Sequence, residues 1–270
     1  MPMSALRFAA VAALLGVALA PAAAQAHRSW LAPSATVLSG AQPWVTVDGA
    51  VSNTLFYADH VPMRLDGVKA VGPDGAPVAI QNGATGKYRS TFDVQLASPG
   101  TYKIANVSEG AMASYKQGGE TKRWRGAVGQ LATALPKDAT DVQVTYSSRR
   151  VETFVTAGAP NTTALKPEGK GLELEPITHP NDLVASEKAR FRLLTDGKPA
   201  AGVEVEIVLG GVRYREKGPE LKVTTGADGV FEVSWPEAGL WWLEATVQGA
   251  DASGARKSSG YVATLEVLPD

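Results

Sequence analysis

Three side chains in this sequence can hold a transition metal through an imidazole ring: His27, His60 and His179. Cysteine is absent, which removes thiolate metal sites, disulfides and cysteine nucleophiles together. Beyond the first few residues the only methionines are Met63 and Met112, too few for a thioether cluster selecting Cu(I). His27 carries the sharpest expectation, because it follows the small-x-small triplet Ala24-Gln25-Ala26. If the chain is cut after Ala26, the free α-amine and the ring Nδ1 of His27 close a six-membered chelate around a metal. A third nitrogen would complete a T-shaped set. His60 is the expected donor: it lies in Asp59-His60-Val61-Pro62, after the apolar run Leu55-Phe56-Tyr57, where a side chain can leave a sheet. Nitrogen ligands in a near-planar set suit Cu²⁺ or Ni²⁺, with copper the tighter of the two. Zn²⁺ ranks behind them and would need an oxygen ligand such as Asp59. His179 stands in Thr178-His179-Pro180-Asn181-Asp182, among side chains that bond their own backbone, and is expected to be a turn or interdomain residue.

The elements that must position these residues read as strands. Apolar residues recur at period two in Trp44-Val45-Thr46-Val47, in Tyr88 to Val94 and in Val142-Gln143-Val144-Thr145-Tyr146. Turn chemistry punctuates them at Pro73-Asp74-Gly75, Asn82-Gly83, Ser98-Pro99-Gly100, Asp196-Gly197 and Asp228-Gly229. The one helix-like stretch, Val128 to Leu135, is hemmed in by Gly126, Gly129 and Pro136. The fold class is therefore all-β, with two immunoglobulin-like β-sandwich domains following an N-terminal signal peptide. The expected division is 1–26 signal peptide, 27–157 first sandwich, 158–175 a Gly/Pro-rich linker and 176–270 second sandwich. Each half carries a similar stretch, Gly86 to Tyr102 and Gly229 to Trp241, which suggests the same hairpin twice. Trp241 and Trp242 are adjacent, so in a strand they face opposite sides; one is expected in the core and the other to cover the domain interface or bind a ligand. Lys122-Arg123-Trp124-Arg125 reads as a solvated loop rather than an anion site.

Composition closes off several functions. A formal net charge of −1 gives no footprint for nucleic acid. The apolar run Phe8 to Ala20 behind Arg7 fits a cleaved secretory leader, and no membrane span is expected in the mature chain, which should be periplasmic. Neither a Gly-x-Ser-x-Gly elbow nor a phosphate-cradling glycine loop is present, so an enzyme is not expected.

His27-Arg28-Ser29-Trp30-Leu31, Trp44-Val45-Thr46-Val47-Asp48 and Phe56-Tyr57-Ala58-Asp59-His60 resemble a bacterial periplasmic family of unknown function. So do Gly171 to Pro176, Thr178 to Leu183 and Pro236 to Trp241. That family is grouped with nickel-uptake components of the NikM and NikK type and is similar to proteins found near TonB-dependent receptors. The resemblance implies a metal-binding accessory protein for nickel or copper, with an envelope transporter or TonB-dependent receptor as partner. The chain departs from components that expose a Met-His start, since His27 itself would come first, and this leaves the metal open. The alternative is a metal-free structural or interaction module docking on an envelope receptor. A copper oxidase of polysaccharide would also suit such a site, but the sequence offers no flat aromatic platform for a sugar chain. Mass spectrometry of the exported protein should find His27 as the first residue; any residue left ahead of it would remove the chelating amine.

Overall fold

The computed structural model describes residues 27–211, 218–251 and 254–270; the leader expected at 1–26 lies outside them. The first half comprises β1 (Arg28–Pro33), β2 (Val37–Leu38), β3 (Trp44–Ser52), β4 (Val61–Pro62), β5 (Val68–Val71), β6 (Pro77–Val78), β7 (Ile80–Thr85), β8 (Ser90–Gln95), β9 (Gly100–Gln117), β10 (Glu120–Gly126) and β11 (Thr140–Ala157). The helical signal becomes a 3-10 turn at Val128–Gln130 and a one-turn helix at Leu131–Ala134. The second half comprises β12 (Leu172–Pro176), β13 (Lys188–Thr195), β14 (Lys198–Pro199), β15 (Glu204–Leu209), β16 (Glu220–Thr224), β17 (Val230–Ser234), β18 (Gly239–Ala250) and β19 (Arg256–Val267). Alternation decides which face each strand buries: in β3, Val45 and Val47 are buried while Trp44 and Thr46 are exposed.

Strand order gives each half its class. In the first, β1-β3-β8-β7 packs against β11-β9-β5-β6, and β2 crosses over to pair in parallel with the end of β11. In the second, β12-β13-β17 packs against β16-β15-β18-β19. Lettered along the chain, these are A-B-E-D on G-F-C-C′ and A-B-E on C′-C-F-G, the immunoglobulin arrangement of antiparallel sheets.

The two sandwiches share a sheet. The last strands of each half, β11 and β19, pair in parallel from Thr145↔Arg256 to Thr153↔Thr264 and make one ten-stranded sheet. The partner sheets lie on its opposite faces. Phe154, Tyr261 and Ala263 point into the core under β12-β13-β17, whereas Val151, Val155 and Val262 point into the core under β1-β3-β8. This corrects the expectation for the tryptophan pair in part, since the ring that meets the other half is itself buried in a core. Trp241 belongs to one core and Trp242 to the other, and both are fully buried because β18 is covered on both faces. At ~25 cal/mol per Å² and about 200 Å² of buried ring, each contributes at most roughly 5 kcal/mol.

Three further sequence expectations change. The similar stretches in the two halves are not hairpins: β8 to β9 and β17 to β18 each pass from one sheet of a sandwich to the other. Gly100 (φ +133°) and Gly239 (φ +140°) start the receiving strand in each case. Asn82-Gly83 is a bulge within β7 rather than a turn, with the register slipping between Gln81 and Ala84. Lys122 to Arg125 form part of strand β10.

The segment 158–175 is tied into the body. Ala164 and Leu165 are buried, and β12 begins at Leu172. Arg150, itself buried, holds the Glu168 carboxylate with two bonds of 3.0 and 3.1 Å and reaches Glu152 at 3.0 Å. The Arg150 hydrogen bond holds the Glu168 carboxyl down at about 2, against the opposing pull of burial. Glu173 accepts the N–H groups of Glu168, Gly169 and Lys170 at 2.7 to 3.0 Å, which fixes the turn into β12. Proteolytic nicking within 158–175 should therefore leave the halves associated by gel filtration in native buffer. Their separation would show that the β11–β19 pairing does not hold the sandwiches together.

Candidate functional site

His27 and His60 meet. Their rings stack at 3.8 Å between centroids with 3° between planes. The path that brings them together starts in β3, which has β1 on one flank and β4 on the other. His27 stands one residue before the Arg28↔Ser52 pair, and His60 one residue before Val61↔Val51, so both flank the end of β3. The intervening loop is closed by its own chemistry. Tyr57 N–H donates to Thr54 O at 3.2 Å, and Phe56 takes φ +57° at the third position of the turn. Such a backbone costs an aromatic residue on the order of 1–3 kcal/mol and needs packing to hold it. Trp30 meets the Phe56 ring edge-on at 5.7 Å, and a methyl group on Gly210 would come within 2.5 Å of that ring.

Asp59 completes the loop. One of its carboxylate oxygens accepts Asn53 N–H at 2.7 Å and the other Thr54 N–H at 3.2 Å. Desolvation pushes its carboxyl up, but the hydrogen bonds from Asn53 and Thr54 outweigh this and leave it below the usual carboxylate range. Both oxygens are thus engaged with the backbone of the loop. Among the described residues, no group of three or more His, Cys, Asp or Glu side chains is placed to hold a metal ion. The histidine pair brings two imidazole rings together at the start of the described chain.

The strand that follows His27 is fastened from behind. Arg28 pairs with Glu206 at 2.6 Å, and its guanidinium lies 5.1 Å from the centroid of the Trp242 ring. The Trp242 indole N–H donates to Ser29 O at 2.9 Å, and Arg149 Nε donates to Ser29 Oγ at 2.8 Å. Trp30 donates to Ser52 Oγ at 2.7 Å, locking β1 to the end of β3. None of these fastenings was visible in the sequence, because Arg28, Glu206 and Trp242 are joined only by the fold. Along the loop that leads to His60, Trp30, Phe56, Tyr57, Lys87, Tyr88 and Arg89 line an open cleft of about 470 Å³. A second cleft, of about 460 Å³, lies between the outer face of β5-β9-β11 and the segment containing Glu168. Its Lys103, Arg150 and Lys257 are spoken for by Glu168, Glu152 and Asp196. Met63 is buried and Met112 exposed, so they form no thioether pair.

His179 is placed elsewhere. Its Nδ1 accepts Asn181 N–H at 3.2 Å, so Nε2 carries the proton and faces Thr101 Oγ1 at 2.9 Å and Asn161 O at 3.2 Å. Thr101 Oγ1 contacts Thr156 Oγ1 at 3.0 Å, Thr156 donates to Asn181 Oδ1, and Asn181 Nδ2 donates to Phe154 O. This relay bonds the first turn of the second half to β9 and β11.

Among solved structures, the chain is similar to the D0-D1 domain of intimin at 11% identity, over 88% of this chain and 97% of that one, with a TM-score of 0.22. It is also similar to a Ca²⁺-stabilised adhesin with which an Antarctic bacterium binds ice (14% identity, 91% and 75% coverage, TM-score 0.25). A third is the Escherichia coli alpha-2-macroglobulin (10% identity, 89% and 30% coverage, TM-score 0.21). No curated protein matches the sequence. One family, described as a domain of unknown function (DUF4198), matches residues 24–249.

Burial lowers the His179 pKa, outweighing the hydrogen bond to Asn161 and the charge of Asp182. Because the folded value lies below the unfolded one, His179 supports the fold above the unfolded pKa, and this support is lost as pH falls through the folded value. Protonation would also put a proton on the nitrogen that accepts Asn181 N–H. Chemical denaturation should show stability declining as pH falls from about 7 to about 5. His179→Ala should flatten that part of the decline and cost roughly 1 kcal/mol at pH 7. An unchanged pH profile would show that His179 is not the group responsible.

Proposed function

The chain belongs to the family described as a domain of unknown function, DUF4198, and we propose that it is a periplasmic accessory protein that captures a divalent transition metal at His27 and His60 for uptake or handling. One observation carries the reading: two of the three histidines, far apart in sequence, stack at 3.8 Å at the N-terminal end of the described chain. The third is occupied in an interdomain relay. Imidazole lone pairs lie in the ring planes, so two parallel stacked rings do not aim at a common ion. One ring must turn about its side-chain bonds to share a metal with the other. Both residues are exposed, so this rotation displaces no core atom.

The α-amine of His27 supplies the third nitrogen in this reading, which requires removal of residues 1–26 and so places the protein in an exported compartment. Copper and nickel suit such a nitrogen set, with copper binding more tightly. The work assigned to the chain is capture and presentation, with an envelope transporter or TonB-dependent receptor as the receiving partner. No bond of a substrate is made or broken.

The experiment is a titration of protein beginning at His27 with Cu²⁺ and Ni²⁺, followed by calorimetry and electron paramagnetic resonance. One equivalent should bind with nitrogen-rich coordination, more tightly for copper. Affinity should weaken from about pH 8 to about pH 5 as protons compete for amine and imidazole. One alanine placed ahead of His27 keeps the ring but moves the amine, and should cost at least about tenfold, roughly 1.4 kcal/mol. His60→Ala should weaken binding comparably. If the parent binds neither metal at neutral pH, the metal-free docking module becomes the better account.

A further inference from the structure

We infer that the second sandwich positions the metal ligands of the first, so that metal binding and the docking of the two sandwiches are coupled through Arg28 and Gly210. This rests on the metal-binding reading above and goes beyond it by naming residues that are not ligands. The two histidine-bearing segments are separate in the chain, yet one touches β15 and the other the residue that follows it. On one side, the residue following His27 is Arg28, held by Glu206 of β15 at 2.6 Å and stacked on Trp242 of β18. On the other side, the loop leading to His60 presents Phe56, whose ring leaves no room for a methyl group on Gly210, immediately after β15.

These contacts have the character of positioning devices. Phe56 adopts a left-handed backbone that an aromatic residue takes only when packing holds it, and Gly210 with Trp30 supplies that packing. Arg28 cannot swing freely, because Glu206 fixes its guanidinium while Trp242 fixes both its ring partner and the next carbonyl, Ser29 O. A shift of β15 relative to β3 would carry Arg28 one way and release Phe56, changing the spacing of His27 and His60. By linkage, a metal that requires one spacing must favour the docked arrangement by the same factor that docking favours the metal.

Electrostatics gives the test its edge. Removing the positive charge of Arg28 beside a cation site should tighten Cu²⁺ binding if charge alone mattered, whereas loss of positioning weakens it. Cu²⁺ is therefore titrated into the full processed chain and its Arg28→Gln, Arg28→Lys and Gly210→Ala variants, each first checked for a parent-like circular dichroism spectrum. The expected result is a loss of at least about fivefold for Arg28→Gln and for Gly210→Ala, with partial recovery in Arg28→Lys. The copper resonance of Gly210→Ala should lose one imidazole coupling, since its perturbation falls on the His60 side. Equal or tighter binding by both Arg28→Gln and Gly210→Ala, in a parent that binds Cu²⁺, would overturn the coupling and leave the metal reading standing. A parent that binds no Cu²⁺ would overturn both.

Discussion

The parallel pairing of β11 with β19 is the constraint on which everything else depends. Each strand closes its own sandwich, and joining them forces the two partner sheets onto opposite faces of one continuous sheet. A central strand in such an arrangement has no wet side. Val151, Val155 and Val262 serve one core while Phe154, Tyr261 and Ala263 serve the other. The start of the edge strand β1 meets β15 and β18 through Arg28 with Glu206 and through Trp242 with Ser29 O, and His27 stands immediately before it.

Polar groups caught at the seam are satisfied in a manner consistent with this burial. Tyr261 donates to Glu152 at 2.8 Å, Glu152 faces Arg150, and Arg150 is shared with Glu168 and Glu173. Burial foremost, and the Glu152 charge next, push the Tyr261 phenol well above its usual range, so it stays a donor. A buried arginine left without such partners would cost several kcal/mol; three carboxylates and a phenol turn it into a local staple. On the opposite face the polar seam is smaller, made of Arg149 with Glu244 at 2.5 Å and Arg28 with Glu206.

Local signals were legible in the sequence and long-range ones were not. Period-two alternation marked β3, β8 and β11, and Asp196-Gly197 took the positive φ values of +49° and +76° that a tight turn needs. Asn82 has the same preference for positive φ, yet it was spent on a bulge, because the next strand pairs with both sides of it. The likeness between Gly86–Tyr102 and Gly229–Trp241 was real, but a sequence cannot tell a hairpin from a crossing between sheets: both need a turn between two strands. Trp241 and Trp242 misled for a related reason, since alternation says that neighbours face opposite ways and not that one side must be wet. The proximity of His27 and His60 could be suggested by ligand chemistry alone. Their fastening by Arg28, Glu206, Trp242 and Gly210 could not, because it spans both halves of the chain.

The hydrogen bond from Trp242 to Ser29 O joins residues 213 positions apart. In a chain synthesised from its N-terminus, β1 emerges long before β15 and β18 exist. Its histidine is then a loose end on an unfinished sheet, and contacts of such sequence separation form slowly. Only when β15 and β18 are in place can Arg28 meet Glu206 and Ser29 O meet the Trp242 indole. The order of synthesis thus acts as a delay, leaving the start of β1 unfastened until the second half has been made.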